Sequence, residues 1–319
     1  MLSTLNQMKA IVLKQPGDAT NLAIQDVPKP VIQEGEVLVQ VKAISINPVD
    51  LKTRAGKAQY NRLKEQDPLI IIGWDISGIV TESKSDLFKP GDAVFGMVNF
   101  PGSGKAYAEY VAAPANQLAL KPATISHEEA AAATLAALTA YQAVTHQYKI
   151  KAGDRVLIHA ASGGVGHFAV QLAKHMGAYV IGTSSAKNKD FVLSLGADEH
   201  IDYHTNQLET HEKNIDFALD AIGGDNIDRS LPLVKRGGTL IVLPSAASGG
   251  VAEKSKPLGI NGFFFMVESS GADMKVIADY LQRGIIKSHV SKTFAFENMA
   301  DAHLYVETGR TVGKVVVVL

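Results

Sequence analysis

Apolar residues in the first 122 positions come in short runs broken by Gly, Pro and Asp. "MKAIVLK", "EVLVQVKAISI", "SGIVTES", "DAVFGMV" and "AEYVAAP" are β-rich, and turn signals such as "KPGD" at 89–92 separate them. Many closely spaced strands predict a compact, barrel-like β domain. At Ser126 the period changes. "SHEEAAAATLAALTAYQAVTH" opens with Ser126 as N-cap and Glu129 three residues later, a capping box. Strands then alternate with helices. "DRVLIHA", "AYVIGTS", "EHIDY", "IDFALDAI", "GGTLIVLP" and "NGFFFMV" read as strands, and "VGHFAVQLAKHMG", "NKDFVLSLG", "NIDRSLPLVKR" and "GADMKVIADYLQRG" as helices. This alternation predicts βαβ units and a six-stranded, doubly wound parallel sheet. The tail, "ENMADAHLYVETGRTVGKVVVVL", reads as a helix and then a strand placed to return to the first domain. No internal repeat or low-complexity segment interrupts the pattern.

Length agrees with two domains, since 319 residues exceed the roughly 250–300 at which single cores stop growing. The formal net charge of -1 gives no basic footprint for nucleic acid or an anionic membrane. With no cysteine, disulfides, thiolate nucleophiles and thiolate-bound metals are excluded. The N-terminal residues lack the pattern of a signal peptide, and no apolar run approaches the ~20 residues of a spanning helix. A soluble cytoplasmic protein is the expectation.

Between the first predicted strand and helix of the second domain lies Ala161-Ser162-Gly163-Gly164-Val165-Gly166. It reads A-x-G-x-x-G. Gly163 lets the backbone approach a pyrophosphate, and Gly166 lets helix and strand pack closely. The helix N-terminus offers free N–H groups to phosphate. The strand–turn–helix context turns a weak motif into a dinucleotide site, the alternative being a tight turn with no ligand. An NAD site places an acidic residue about 20 residues on, for the ribose 2′-hydroxyl. Here the second strand ends in Ser184 and Ser185, followed by Lys187 and Lys189, with no carboxylate. Hydroxyls and ammonium groups suit a 2′-phosphate, so NADPH is expected over NADH. The serines could also cap the next helix.

Ordered motifs carry a resemblance over nearly the whole chain: "INPVDLK" (46–52), "PGDAVFG" (90–96), "AYAEYV" (106–111), "LAALTAYQAV" (135–144), "AASGGVG" and the closing "GKVVVVL". They resemble the medium-chain dehydrogenase/reductase superfamily, in its zinc-free quinone oxidoreductase and enone oxidoreductase branch. The resemblance implies an α/β protein: a GroES-like β-rich catalytic domain, residues 1–125 completed by 268–319, and a Rossmann NADPH-binding domain, 126–267. It implies homodimers joined near residues 263–266. Zinc alcohol dehydrogenases of this superfamily use a catalytic cysteine, a G-H-E motif and a four-cysteine lobe. This chain has no cysteine, and Gly73-Trp74-Asp75 stands where G-H-E would fall, so no metal is expected. His200 and His204 straddle a strand end and read as surface histidines, and His159 and His167 as structural ones.

The resemblance also places candidate residues. Asn47 matches a residue beside the nicotinamide ribose and substrate, or is a turn amide. Lys52 could donate to the substrate oxygen or cofactor, or be a surface lysine. Tyr60, Trp74 and Tyr107 are candidates for the substrate pocket, Trp74 equally for the core. Cofactor contacts fall on Thr139, Ser162, Gly163, Gly164, Val165, Gly166, Ser184, Ser185, Lys187, Lys189, Tyr203, Ile222, Leu243, Phe265 and Lys314. Leu243 and Phe265 could equally be scaffold. Without a Lewis acid, polarising a simple ketone falls to hydrogen-bond donors alone, whereas a quinone or enone spreads charge onto a distant oxygen. Metal-free reduction of quinones or α,β-unsaturated carbonyls is therefore expected. The alternatives are an enoyl-thioester reductase and a non-enzymatic, NADPH-holding binding protein.

Overall fold

The computed structural model describes residues 6–205, 208, 210 and 214–319. They divide into two compact units, residues 1–138 with 268–319 and residues 139–267.

The first unit is built on a seven-stranded sheet. Its central strand, Glu36–Ile46, is buried along most of its length and pairs with Asp75–Ser83, Tyr110–Pro114 and Lys314–Val318, all antiparallel. A near-continuous apolar strand needs cover on both faces. The helix His127–Ala132 gives it on one side, packing Ala131 and Ala132 against Ala43 and Val316. Alanines there let helix and sheet approach closely. The capping box forms as expected: Ser126 Oγ accepts from Glu129 N, and Glu129 Oε2 accepts from Ser126 N. Because this helix packs on the first unit, the units divide at 138/139. The expectation of a boundary at 125/126 followed the change in sequence texture, which precedes the division in packing. The tail strand comes back as expected, with Val315 opposite Ile46 and Val318 opposite Ala43. That register carries Lys314 to the residue after Ile46, which is Asn47. The pairing of Ser45 with Asp75 brings in a third polar residue.

The second unit is a six-stranded, all-parallel sheet of Arg155–Ile158, Tyr179–Ser184, Glu199–Asp202, Ile215–Asp220, Val234–Val242 and Asn261–Phe264. In space they run third, second, first, fourth, fifth, sixth, the order of dinucleotide-binding sheets. Leu157, Ile181, Ala218, Leu240 and Val242 fill its core. The fold is thus the expected one, a GroES-like sheet domain with a Rossmann sheet. Several elements differ from the sequence reading. The helix predicted over 226–236 stops at Ser230, and a short turn containing Pro232 leads into Val234–Val242. Proline cannot supply the N–H a continuing helix needs. Leu22–Pro28, Leu118–Leu120 and Val290–Ala295 are further strands, and Pro48–Arg54 and Tyr60–Gln66 are helices. Among the described residues no helix is long and apolar enough to cross a membrane.

Candidate active site

In the second unit the glycine turn leads directly into the helix Gly164–His175. A Cβ on Gly166 would lie 2.1 Å from Ala160 O and 2.8 Å from Ala161 Cα, so only glycine lets the helix start this close to its strand. Gly182 does the same from the next strand, where a Cβ would meet Val192 Cγ1 at 2.6 Å. The first N–H groups of any helix lack partners within it, and Gly163, Gly164 and Val165 are only half-buried. The turn therefore fits a dinucleotide diphosphate. Ser162 Oγ accepts from Asn188 Nδ2 at 3.1 Å, which joins this turn to the residues after the second strand. His159 lies beneath the turn, its Nδ1 bonded to Thr183 Oγ1 at 3.1 Å and its Nε2 to Ser230 Oγ at 2.8 Å. Burial pushes it down to about 4, so it is a neutral brace.

Around this turn the candidate cofactor residues separate by exposure. Ser185 is half-buried, and Lys187, Lys189 and Tyr203 are exposed. Ile222, Leu243 and Phe265 follow the ends of the fourth, fifth and sixth strands, where ligands gather in such sheets. Asp220 Oδ1 fixes the loop at Ile222 by accepting from the N–H groups of Ile222 and Gly223. Thr139 opens this unit and is buried. Ser184 is buried too, its side chain turned to His200 Nε2 at 2.8 Å and Ser185 O at 3.2 Å. The hydroxyl expected to meet a phosphate is engaged by these two neighbours.

In the first unit the sheet register gathers a buried polar cluster. Lys314 is 3% exposed, and its ammonium donates to Ile46 O at 2.8 Å and to Asn47 Oδ1. Asn47 Nδ2 donates to Asp75 Oδ2 at 2.7 Å. The amide is thereby oriented, oxygen to the cation and nitrogen to the anion. Asp75 Oδ1 accepts from Leu135 N at 3.0 Å. Asp50, at N3 of the helix Pro48–Arg54, accepts from Asn47 N at 2.8 Å and from Tyr107 Oη at 3.0 Å. Tyr107 Oη also meets His303 Nε2 at 2.9 Å. Tyr107 fits because Gly73, at φ +91°, carries no side chain; a Cβ there would lie 2.2 Å from the tyrosine ring.

The structure places four of the candidate residues inside the first unit. Asn47, Trp74 and Tyr107 are buried. Asn47 is spent on Asp75 and Lys314. Trp74 donates Nε1–H to Gly102 O at 2.7 Å and packs edge-on to Phe100. Lys314, expected at the phosphates or the catalytic cleft, is held inside the first unit. Lys52 lies exposed on the helix that Asn47 and Asp50 cap, and Tyr60 is half-buried at the start of the next.

The same chain matches the family profile described as alcohol dehydrogenase GroES-like domain over residues 33–123, and the one described as zinc-binding dehydrogenase over 195–317. It is 33% identical to a 2-methylene-furan-3-one reductase of Solanum lycopersicum, over 99% of this chain and 80% of that protein. It is 34% identical to an NADPH-dependent alkenal/one oxidoreductase of Arabidopsis thaliana, over 98% and 79%. The solved structure of the quinone oxidoreductase from Coxiella burnetii superposes with a TM-score of 0.93 at 35% identity, over 98% of this chain and 99% of that one. The chain belongs to the medium-chain dehydrogenase/reductase superfamily, in its quinone oxidoreductase branch. Like its relatives in this superfamily, it is an oxidoreductase that uses a nicotinamide cofactor.

In this medium-chain dehydrogenase/reductase the cluster concentrates charge. Two carboxylates and one ammonium share a dry space, and Asp50 Oδ1 has no hydrogen-bond partner there. Burial is the main force pushing the Asp50 carboxyl up to about 7; the Asn47 N–H opposes it, and nearby Asp75 adds to it. Burial also raises Asp75 and lowers Lys314, each opposed by the other's charge. The folded chain therefore holds a proton on Asp50 between about pH 4 and 7 that the unfolded chain has released. Its stabilising contribution is complete at low pH and lost as pH rises through 7. The first unit should lose about 2 kcal/mol between pH 5 and 8 in urea melts, and Asp50→Asn should flatten that slope. An unchanged slope in the variant would show that the proton sits elsewhere. Asp50, Asp75 and His303 were not marked as site residues from the sequence. For Asp75 a signal existed, a lone acid inside the apolar "IIGWDISGIV".

Proposed function

We propose that this chain is an NADPH-dependent reductase of quinones or α,β-unsaturated carbonyls that works without zinc. The observation that carries the reading is the buried ammonium of Lys314 beside Asn47 and Asp75. Trp74, with no exposed surface, takes the place of a histidine ligand, and the acid beside it is neutralised by an amine of the chain itself. With cysteine absent from the whole sequence, the ligands of a catalytic zinc are not to hand.

Bound reduced nicotinamide would supply the hydride. The chain's own residues do the rest. The turn 161–166 takes the diphosphate, and Ser185, Lys187, Lys189 and Tyr203 take the 2′-phosphate. Lys52, exposed on its capped helix, is the donor available to a substrate oxygen. No general acid is required, because an enolate or hydroquinone anion can take its proton from solvent. The names of the Solanum and Arabidopsis relatives, a furanone reductase and an alkenal/one oxidoreductase, support a conjugated carbonyl as substrate. Self-association is supported by the last strand of the sheet, Asn261–Phe264, which lies at its edge with Phe264 and Met266 exposed.

A panel of quinones, short enones, alkenals and enoyl-coenzyme A, followed by NADPH consumption, tests the reading. Quinones or enones should turn over, NADPH should outperform NADH, and chelators should have no effect. Preference for the thioester would favour the enoyl reductase alternative, and no turnover the binding protein. Stoichiometric zinc whose removal abolishes activity would overturn the metal-free mechanism. Lys52→Ala should lower kcat/KM for enones about 10- to 100-fold, less than the 10²–10³ typical of a fully preorganised donor, because the lysine is exposed. An unchanged kcat/KM would remove Lys52 from the site.

A further inference from the structure

The mechanism leaves one polar contact unused, the bond between Ser184 Oγ and His200 Nε2. It sits where the second and third strands end, with Ser184 opposite Asp202 in the register. The Ser184 hydroxyl also reaches Ser185 O. When its proton goes to that carbonyl, His200 Nε2 must supply the hydrogen of the Ser184–His200 bond. The neutral ring then keeps Nδ1 as its only site for a further proton. His200 is half-buried, unlike the exposed His204.

Burial and two charged groups set its charge. Desolvation disfavours the imidazolium, Asp202 on its own strand favours it, and Lys189 from the segment after the second strand opposes it. Asp202 is largely committed, because its Oδ1 accepts from both Nδ1 and the backbone N–H of His204. Tyr203, whose N–H donates to Ser184 O, lies tilted against the His204 ring. An added dianion beside Lys189 would cancel the repulsion that Lys189 exerts and favour the charged ring.

We propose that His200 makes cofactor choice depend on pH: it takes up a proton when a 2′-phosphate settles among Ser185, Lys187, Lys189 and Tyr203. The inference rests on the NADPH reading above and adds a residue and a proton to it. The phosphorylated dinucleotide is then favoured most in mildly acidic solution. The phosphate's own second ionisation, with a pKa near 6, works in the opposite sense, because the dianion binds basic groups better. The two contributions therefore separate by sign.

The test uses the full chain and titration calorimetry with NADPH, NADH and 2′,5′-ADP at pH 6 and pH 8, in two buffers of different ionisation enthalpy. The wild type should bind 2′,5′-ADP with net proton uptake, and its NADPH-to-NADH affinity ratio should fall about tenfold from pH 6 to 8, one proton's worth of linkage partly offset by the phosphate. His200→Gln keeps a donor for Ser184 but cannot titrate. In it the uptake should vanish and the ratio should stay level or rise with pH. His200→Asn is the second variant, and thermal melts of both report an intact fold. If both variants keep the wild-type uptake and pH slope, the inference is overturned while the NADPH reading stands. If the wild type binds NADPH and NADH equally at both pH values, the NADPH reading falls and takes the inference with it.

Discussion

Lys314→Met should cost the first unit about 3–5 kcal/mol, the loss expected when one member of a buried ionic group is removed. The ammonium is enclosed by Ile46 O and Asn47 Oδ1, with Asp75 and Asp50 as counter-charges. Methionine fits the same stem but leaves the carboxylates uncompensated in a dry space. Asn47 Oδ1 and Ile46 O would also lose a donor, and each unpaired group adds its own penalty. The chain's one tryptophan, Trp74, lies fully buried in this unit, so its fluorescence in urea follows this unit alone. Adding Asp75→Asn to Lys314→Met should recover part of the loss, since the second change removes the charge that the first left stranded. The double-mutant cycle should show a coupling of more than about 1 kcal/mol. A Lys314→Met protein within about 0.5 kcal/mol of wild type would mean that the cluster is wet and the ion group not a structural one.

Gly166→Val should abolish measurable nucleotide binding, weakening it at least about 10²–10³-fold, while the first unit's transition stays put. The Cβ alone would meet the Ala160 carbonyl oxygen at 2.1 Å, and neither that backbone nor the helix start can yield without moving the turn. Overpacking of this kind costs typically 1–3 kcal/mol and more when backbone must shift. Here the shift displaces the N–H groups that would meet the diphosphate, and each 1.4 kcal/mol is a factor of ten in affinity. Titration with NADPH and with NADH should show the same loss for both, since the diphosphate is common to them. A selective loss of one cofactor would place the fault at the 2′-position instead.

How far the sequence could be read depended on the range of the interaction. The glycine turn was legible because its requirement is local: a strand, two glycines at fixed spacing and a helix define the geometry within six residues. The capping box at Ser126 and Glu129 was legible for the same reason. Asn47, Trp74 and Tyr107 were located by motif but not by direction. Each lies in a stretch that resembles the family's motifs, and each side chain is buried in the protein. Their partners come from Gly102, Asp75, His303 and Lys314, up to 267 positions away, and no periodicity reveals such pairs. Lys314 reads from its motif as a cofactor contact; the antiparallel register with Glu36–Ile46 brings it to Asn47. Ser184 shows the same limit on a smaller scale. Its place at the strand end was evident, whereas its bond to His200 depended on how two strands pair. The strand Val290–Ala295 escaped notice because it lies at a sheet edge and shows mostly exposed residues, without the alternation of a half-buried strand.

The returning strand Lys314–Val318 has a consequence for how the molecule is made. A ribosome releases residues 139–267 as one uninterrupted stretch, so the dinucleotide sheet holds every strand it needs while the rest is still being threaded. The other sheet waits. Until residues 314–318 emerge, Glu36–Ile46 lacks the second of its two neighbours along residues 43–46, and Asn47 and Asp75 face each other without their cation. The earlier-born half of the chain is therefore the later to finish, and nascent chains stalled shortly before residue 314 should carry a completed nucleotide fold beside an open-edged partner.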